Sequence, residues 1–111
     1  RRLTYSIKAG KMVGHTADPG PEYKLWKERY AAAPAGKDEF AAVDIGINPN
    51  VKVPAGSKLM TYVPAGTVTL NFGGNAWAEG SNPISWSTDG SMNGCTLTVD
   101  GKVVVENGVL K

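Results

Sequence analysis

Asp100-Gly101 constrains the fold of this chain more than any other pair of residues. Thr96-Leu97-Thr98-Val99 on one side and Lys102-Val103-Val104-Val105 on the other are strand sequences that must reverse across it. Both turn residues tolerate the positive φ angles that a two-residue type I′ turn demands, so the segment predicts a β-hairpin. Asn107-Gly108 supplies a further turn before Val109-Leu110-Lys111.

The opposite end of the chain has the same period. Leu3, Tyr5 and Ile7 alternate with Thr4, Ser6 and Lys8, and Ala9-Gly10 turns the chain before Lys11 to His15, so a hairpin is predicted there too. The two hairpins share a strand-Gly-Lys pattern that is too short to establish a repeat. Between them, Asp18-Pro19-Gly20-Pro21-Glu22 combines a capping side chain, helix-compatible prolines and an early carboxylate. Tyr23, Trp26 and Tyr30 follow at helical spacing, which predicts a helix of about three turns over 21–32, stopped by Pro34-Ala35-Gly36. Such a stripe usually faces a core, and Trp26 is expected there; a ligand-stacking platform is the competing reading.

Phe40 to Ile47 reads as a buried strand ended by Asn48-Pro49-Asn50. Pro54-Ala55-Gly56 and Pro64-Ala65-Gly66 bracket a strand over Leu59 to Val63, and Thr67 to Phe72 follows with Val68, Leu70 and Phe72 on one face. Gly73 to Asn82 and Thr88 to Gly94 read as long loops, where function concentrates.

Composition narrows the functional classes. The 111 residues are 41% hydrophobic and 20% charged, which suits one soluble globular domain with one core. No apolar run approaches the length of a membrane span. Twelve basic residues against ten acidic ones leave a net charge of +2, and Arg1, Arg2, Lys8 and Lys11 gather at the N-terminus without a basic stripe elsewhere, which argues against a nucleic-acid partner. Cys95 is the sole cysteine, so an internal disulfide is excluded and a cytoplasmic location is favoured. The chain starts at Arg1 with no apolar signal region, which reads as a boundary made by processing, proteolysis or cloning in a longer protein.

Few residues carry chemistry. A catalytic zinc takes three ligands from His, Cys, Asp or Glu, and a two-metal hydrolase needs more. His15 is the only histidine, and no Cys-x-x-Cys or His-x-Asp spacing exists. A His15–Cys95 nucleophile pair has no local support, and a lone histidine beside a turn reads as a solvated side chain. Asp44 interrupts an apolar strand, so it is a ligand, or it points to the solvent face of the sheet or accepts backbone N–H bonds from the Asn48-Pro49 turn, and the latter two are favoured. Gly73-Gly74-Asn75 lacks the spacing and lysine of a phosphate-binding loop. Trp77 and Trp86 are candidates for ligand contact or for covering a sheet edge.

The order of these segments resembles the later portion of the thermophilic metalloaminopeptidase family, of the aminopeptidase T and aminopeptidase S type, over nearly the whole chain. Leu3 to Gly10 with Lys11-Met12-Val13 is similar to that family's strand, turn and return strand, and Thr16-Ala17 to Tyr30 to its following helix. Ala41-Ala42-Val43-Asp44-Ile45-Gly46-Ile47-Asn48-Pro49 resembles its Gly-Glu-Leu-Gly-Ile-Gly-Thr-Asn-Pro segment. Gly66-Thr67-Val68-Thr69-Leu70-Asn71-Phe72-Gly73 resembles its Gly-Thr-Val-His-Ile-Ala-Leu-Gly strand. Ile84-Ser85-Trp86-Ser87 stands where the family has Ile-His-Trp-Asp, and Val99-Asp100-Gly101-Lys102 resembles the closing hairpin.

The resemblance implies an α+β fold: a β-rich mixed-sheet domain with one main helix and a C-terminal hairpin. For an intact member it implies two divalent metals such as zinc or cobalt, an N-terminal domain of the same protein and a homodimer. Here the implied ligand positions hold Ala42, Thr69, Ser85 and Ser87, none of which binds zinc as the family's residue would. The expectation is an aminopeptidase-like C-terminal domain without its own metallopeptidase activity and without a cofactor in this chain, retained as a binding or structural module. The alternative is part of an active aminopeptidase whose other ligands come from another segment or chain, with Asp44, Asp89 or His15 contributing. A plain β-rich interaction domain is the third reading. Candidate binding residues are Asp44, Asn48, Trp77, Trp86 and Asp89, with a peptide as candidate ligand.

Overall fold

The computed structural model describes residues 3–57 and 62–111. The chain has a small α+β fold with three small sheets, and α1 is the one α-helix among the described residues. In order the elements are β1 (Leu3–Lys8), β2 (Lys11–Ala17), α1 (Pro21–Ala32), β3 (Phe40–Ile45), β4 (Val68–Gly73), a one-turn 3-10 helix (Ala76–Ala78), β5 (Ser87–Met92), β6 (Leu97–Val99), β7 (Lys102–Glu106) and β8 (Val109–Leu110). The sheets are β1-β2, β3-β4-β5 and β6-β7-β8. No helix among the described residues is long and apolar enough to cross a membrane. The chain divides into two compact units, Arg1–Ala42 with Asn71–Thr88 and Val43–Leu70 with Asp89–Lys111.

In the first unit, β1 and β2 pair antiparallel from Leu3↔Ala17 to Lys8↔Lys11, with a bulge between Ser6 and Ile7. Ala9 at φ 50 and Gly10 at φ 75 make the turn. Both central residues are left-handed, which for alanine costs conformational energy that glycine avoids. The turn end of this hairpin is fastened by Met12 N–H to Asp38 O at 2.7 Å and Phe40 N–H to Gly10 O at 2.8 Å. Met12 and Phe72 are the buried apolar side chains among the described residues of this unit, and Phe72 has Tyr5 and Phe40 against it at 5.2 and 5.7 Å between ring centroids.

Helix α1 begins at Pro21, whose fixed φ suits the first helical position. Its N-cap is Gly20 and no side chain caps it, so Asp18 is not the cap expected from the sequence. The proline sets the first turn and leaves Asp18 two residues upstream of the cap position. At the other end the chain becomes extended at Ala33, and Lys37 Nζ donates to Ala31 O at 3.3 Å and to Ala33 O at 3.4 Å, where a cation complements the helix dipole. No residue of α1 is buried. The expectation that Trp26 is core is corrected: Tyr23, Trp26 and Tyr30 are all half-buried. Their partners Tyr5 and His15 belong to a sheet of only two strands, too small a surface to bury the three rings completely.

In the second unit, Val68 and Val105 are the buried apolar side chains among the described residues, flanked by buried Thr67 and Thr69. β6 and β7 turn at Asp100 (φ 48) and Gly101 (φ 79), and β7 and β8 turn at Asn107 (φ 50) and Gly108 (φ 80). Both turns have the left-handed pair that Asp-Gly and Asn-Gly favour. Gly66 sits at φ 83, and a Cβ there would overlap the carbonyl of Gly108, so this close approach excludes other residues.

Further expectations are corrected. The strand over Phe40 to Ile47 ends at Ile45 and is not buried: Val43 is 43% and Ile47 72% exposed, while Asp44 is exposed, as the solvent-facing reading of it expects. β3 is an end strand in its sheet, whereas β4, with a neighbour on each side, is the strand with most buried residues. Thr88 to Gly94 is not a loop, because Ser87–Met92 forms β5. Within Gly73 to Asn82, Ala76–Ala78 forms a single 3-10 turn. The strand expected over 59–63 falls on residues 59–61 outside the described ones, and Tyr62 and Val63 are not in a strand.

Candidate functional site

Of the four positions that the family resemblance marks as ligands, Thr69 has its side chain in a hydrogen bond, and the others hold an alanine and two exposed serines. In the second unit, Thr69 Oγ1 and Ser91 Oγ are 2.8 Å apart and share a hydrogen bond. In the first unit, Ala42 contributes its carbonyl as acceptor for Asn71 Nδ2 at 3.5 Å, and Ser85 and Ser87 are exposed. Among the described residues, no group of three or more His, Cys, Asp or Glu side chains is arranged to hold a metal ion.

Asp44 and Asp89 come close enough to influence one another. Asp89 is half-buried, and burial, followed by the charge of Asp44, raises its carboxyl above the usual carboxylate range. Asn48 is a turn residue: its Oδ1 accepts from Asn50 N–H at 2.9 Å and its carbonyl from Ala65 N–H at 3.3 Å. This local Asx bond accounts for the residue's presence without a ligand. Cys95 is a half-buried free thiol of the second unit, whereas His15 belongs to the first.

His15 is not the solvated side chain expected beside a turn. It is half-buried in a cluster that takes in the whole aromatic stripe of α1. Its Nδ1 lies 2.9 Å from the Tyr23 hydroxyl, which is also 3.2 Å from the His15 carbonyl. The ring meets those of Tyr23, Trp26 and Tyr30 edge-on at 6.0, 4.7 and 5.4 Å. Tyr23, Trp26 and Tyr30 are themselves stacked, with interplanar angles of 14° and 12°. The outer rings have ammonium partners, Lys27 Nζ at 4.9 Å from the Tyr23 centroid and Lys37 Nζ at 5.0 Å from that of Tyr30. Trp86 meets Tyr30 at 5.9 Å, and Trp26 Nε1 donates to Thr88 Oγ1 at 3.0 Å. With ring faces and polar atoms taken internally, the stripe fastens the helix and leaves little face for a stacked ligand. Burial, then the charge of Lys27, lowers the His15 pKa below 6.5.

Trp77 is held differently. It is 63% exposed on the 3-10 turn, and its Nε1 donates to Gly74 O at 3.0 Å. The loop that carries it is tied by Asn75 and Asn82, which the sequence reading did not single out. Asn75 N–H donates to Asn82 O at 3.0 Å, and Asn82 N–H donates to Asn75 Oδ1 at 2.9 Å. Buried Asn82 also donates from Nδ2 to Gly36 O at 2.9 Å and to Gly73 O at 3.0 Å. The signal for these residues was present only as two asparagines flanking a Gly- and Ala-rich loop, a pattern shared with many solvated loops.

No family model, curated protein or solved structure matches the chain.

Proposed function

We propose that this chain is an aminopeptidase-like module that has lost its own metal chemistry and serves in binding. Under this reading β3-β4-β5 corresponds to the family's main mixed sheet in reduced form, and the β6-β7 hairpin to its closing hairpin. The observation that carries the proposal is the Thr69–Ser91 hydroxyl pair. At the position where the resemblance implies a histidine ligand, a neutral hydroxyl is committed to a neighbouring hydroxyl, and neutral hydroxyls are poor zinc ligands. Ala42, Ser85 and Ser87 at the other implied positions add no imidazole or carboxylate. Hydrolysis of aminopeptides by the purified chain, with and without added zinc or cobalt, tests the reading. No metal-stimulated turnover is expected.

One observation favours the second reading, an active metal-dependent aminopeptidase completed by another segment or chain. Asp44 and Asp89 bring two carboxylates near each other, and such a pair attracts a cation. Metal-stimulated hydrolysis that disappears in Asp89→Asn would favour this reading over the first.

A further inference from the structure

The sequence contains two Asn-Gly pairs, and both lie in the second unit: Asn93-Gly94 between β5 and β6, and Asn107-Gly108 between β7 and β8. In such a pair the backbone can attack the side chain before it, because glycine has no Cβ to shield its nitrogen from the neighbouring side-chain amide. The attack needs a glycine N–H that is not already bound and an asparagine side chain free to turn onto it.

The fold treats the two pairs differently. Asn107 stands at φ 50, its own N–H donates to Thr96 Oγ1 at 3.1 Å, and Gly108 N–H donates to Cys95 O at 2.8 Å. The nitrogen that would attack is therefore already bound, and the pairing of Glu106 with Val109 fixes the chain on either side of it. Asn93 and Gly94 lie instead on an exposed bend outside any strand. Among the described residues, neither the Asn93 side-chain amide nor Gly94 N–H takes part in a hydrogen bond. A Cβ built on Gly94 would meet nothing within 4 Å, so that side of the backbone is open.

We propose that Asn93 is a modification site that deamidates without an enzyme through attack by Gly94, while Asn107 is protected by its turn. The Gly94 nitrogen gives up its proton and bonds to Asn93 Cγ, and the side-chain nitrogen takes up a proton and leaves as ammonia. The cyclic succinimide that results is opened by water at either carbonyl, leaving aspartate or isoaspartate at position 93. Overall a water is consumed and an ammonia released, with no oxidant, reductant or metal. The carboxylate formed takes the formal net charge from +2 to +1, since one negative charge is added. Isoaspartate also lengthens the main chain between β5 and β6. The inference is independent of the aminopeptidase-like reading.

The test is to hold the purified chain at mildly alkaline pH and follow both asparagines by tryptic mass spectrometry, beside a sample unfolded in guanidinium chloride. Cleavage after Lys102 puts the two on separate peptides, and fragmentation assigns the converted residue. In the folded chain Asn93 is expected to convert about fivefold faster than Asn107 or more, which is roughly what one hydrogen bond on the attacking nitrogen is worth. In the unfolded chain the two rates should converge. Asn93→Gln should remove the more acidic species from ion exchange of the folded protein. A folded chain in which Asn107 converts as fast as Asn93 would overturn the proposal, as would an intact Asn93 where the unfolded chain converts. A difference between the sites that persists undiminished in guanidinium chloride would also overturn it, because it would then come from local sequence and not from the fold.

Discussion

Trp26 Nε1 donates to Thr88 Oγ1 across 3.0 Å, joining the middle of α1 to a residue 62 positions later in the chain. The bond adds a polar tie to the ring contacts that hold a helix with no buried residue. Thr88→Val keeps the shape and removes the acceptor, and should cost about 0.5–1.5 kcal/mol. Trp26→Ala should cost about 2–3 kcal/mol, below the roughly 3–5 kcal/mol of a fully buried tryptophan, because the ring is only half-buried. Urea unfolding of the two single variants and the double variant checks this, and the double should be little worse than Trp26→Ala alone.

A pH effect follows from His15, whose pKa is lowered by burial and then by Lys27. The unfolded chain therefore binds this proton more readily than the folded one. Stability from this residue is present above the unfolded pKa of 6.5 and declines as pH falls through it towards the lower folded value. The urea midpoint should fall between pH 7.5 and pH 5.5 (conditions chosen to span that value), and His15→Gln should flatten the decline. Asp89 works in the opposite sense in a separate window. Its folded pKa is raised above 3.8, so its contribution is lost as pH rises through that value towards the folded one.

Asn82 should be among the least replaceable side chains of the first unit. It is 6% exposed and its amide N donates to both Gly36 O and Gly73 O. Asn82→Ala leaves two carbonyls short of a donor and should cost about 2–4 kcal/mol. Asn82→Asp should be at least as damaging, because a carboxylate would face the same two carbonyls. Thermal melts of both variants, with hydrogen exchange at the Trp77 indole, would show whether the loop loosens with the bond.

The turns and the helix were legible because each is set by local chemistry. Asp100-Gly101 and Asn107-Gly108 take the positive φ values that those residues tolerate, and Pro21 fixes the start of α1. β5 was not legible, since Ser87–Met92 is polar with a glycine inside it and stands at the end of its sheet, where little burial imposes a pattern. The exposure of Val43 was hidden for the converse reason, since an apolar run does not announce whether its strand has one neighbour or two, whereas a solvent-facing Asp44 was among the readings its charge allowed. Of the candidate site, Trp77 could be singled out from its loop, but its fixation by Asn75 and Asn82 depends on backbone geometry. The role of His15 arises from residues 15, 23, 26, 30 and 86 meeting in space, which spacing along the chain does not reveal.

Calorimetric titration of the purified chain with zinc asks whether the chain can hold a catalytic metal at all. No stoichiometric tight binding is expected, because Thr69 is hydrogen-bonded to Ser91 and the other implied positions are Ala42, Ser85 and Ser87. Uptake of one zinc per chain with submicromolar affinity, accompanied by release of N-terminal residues from peptides, would contradict that expectation.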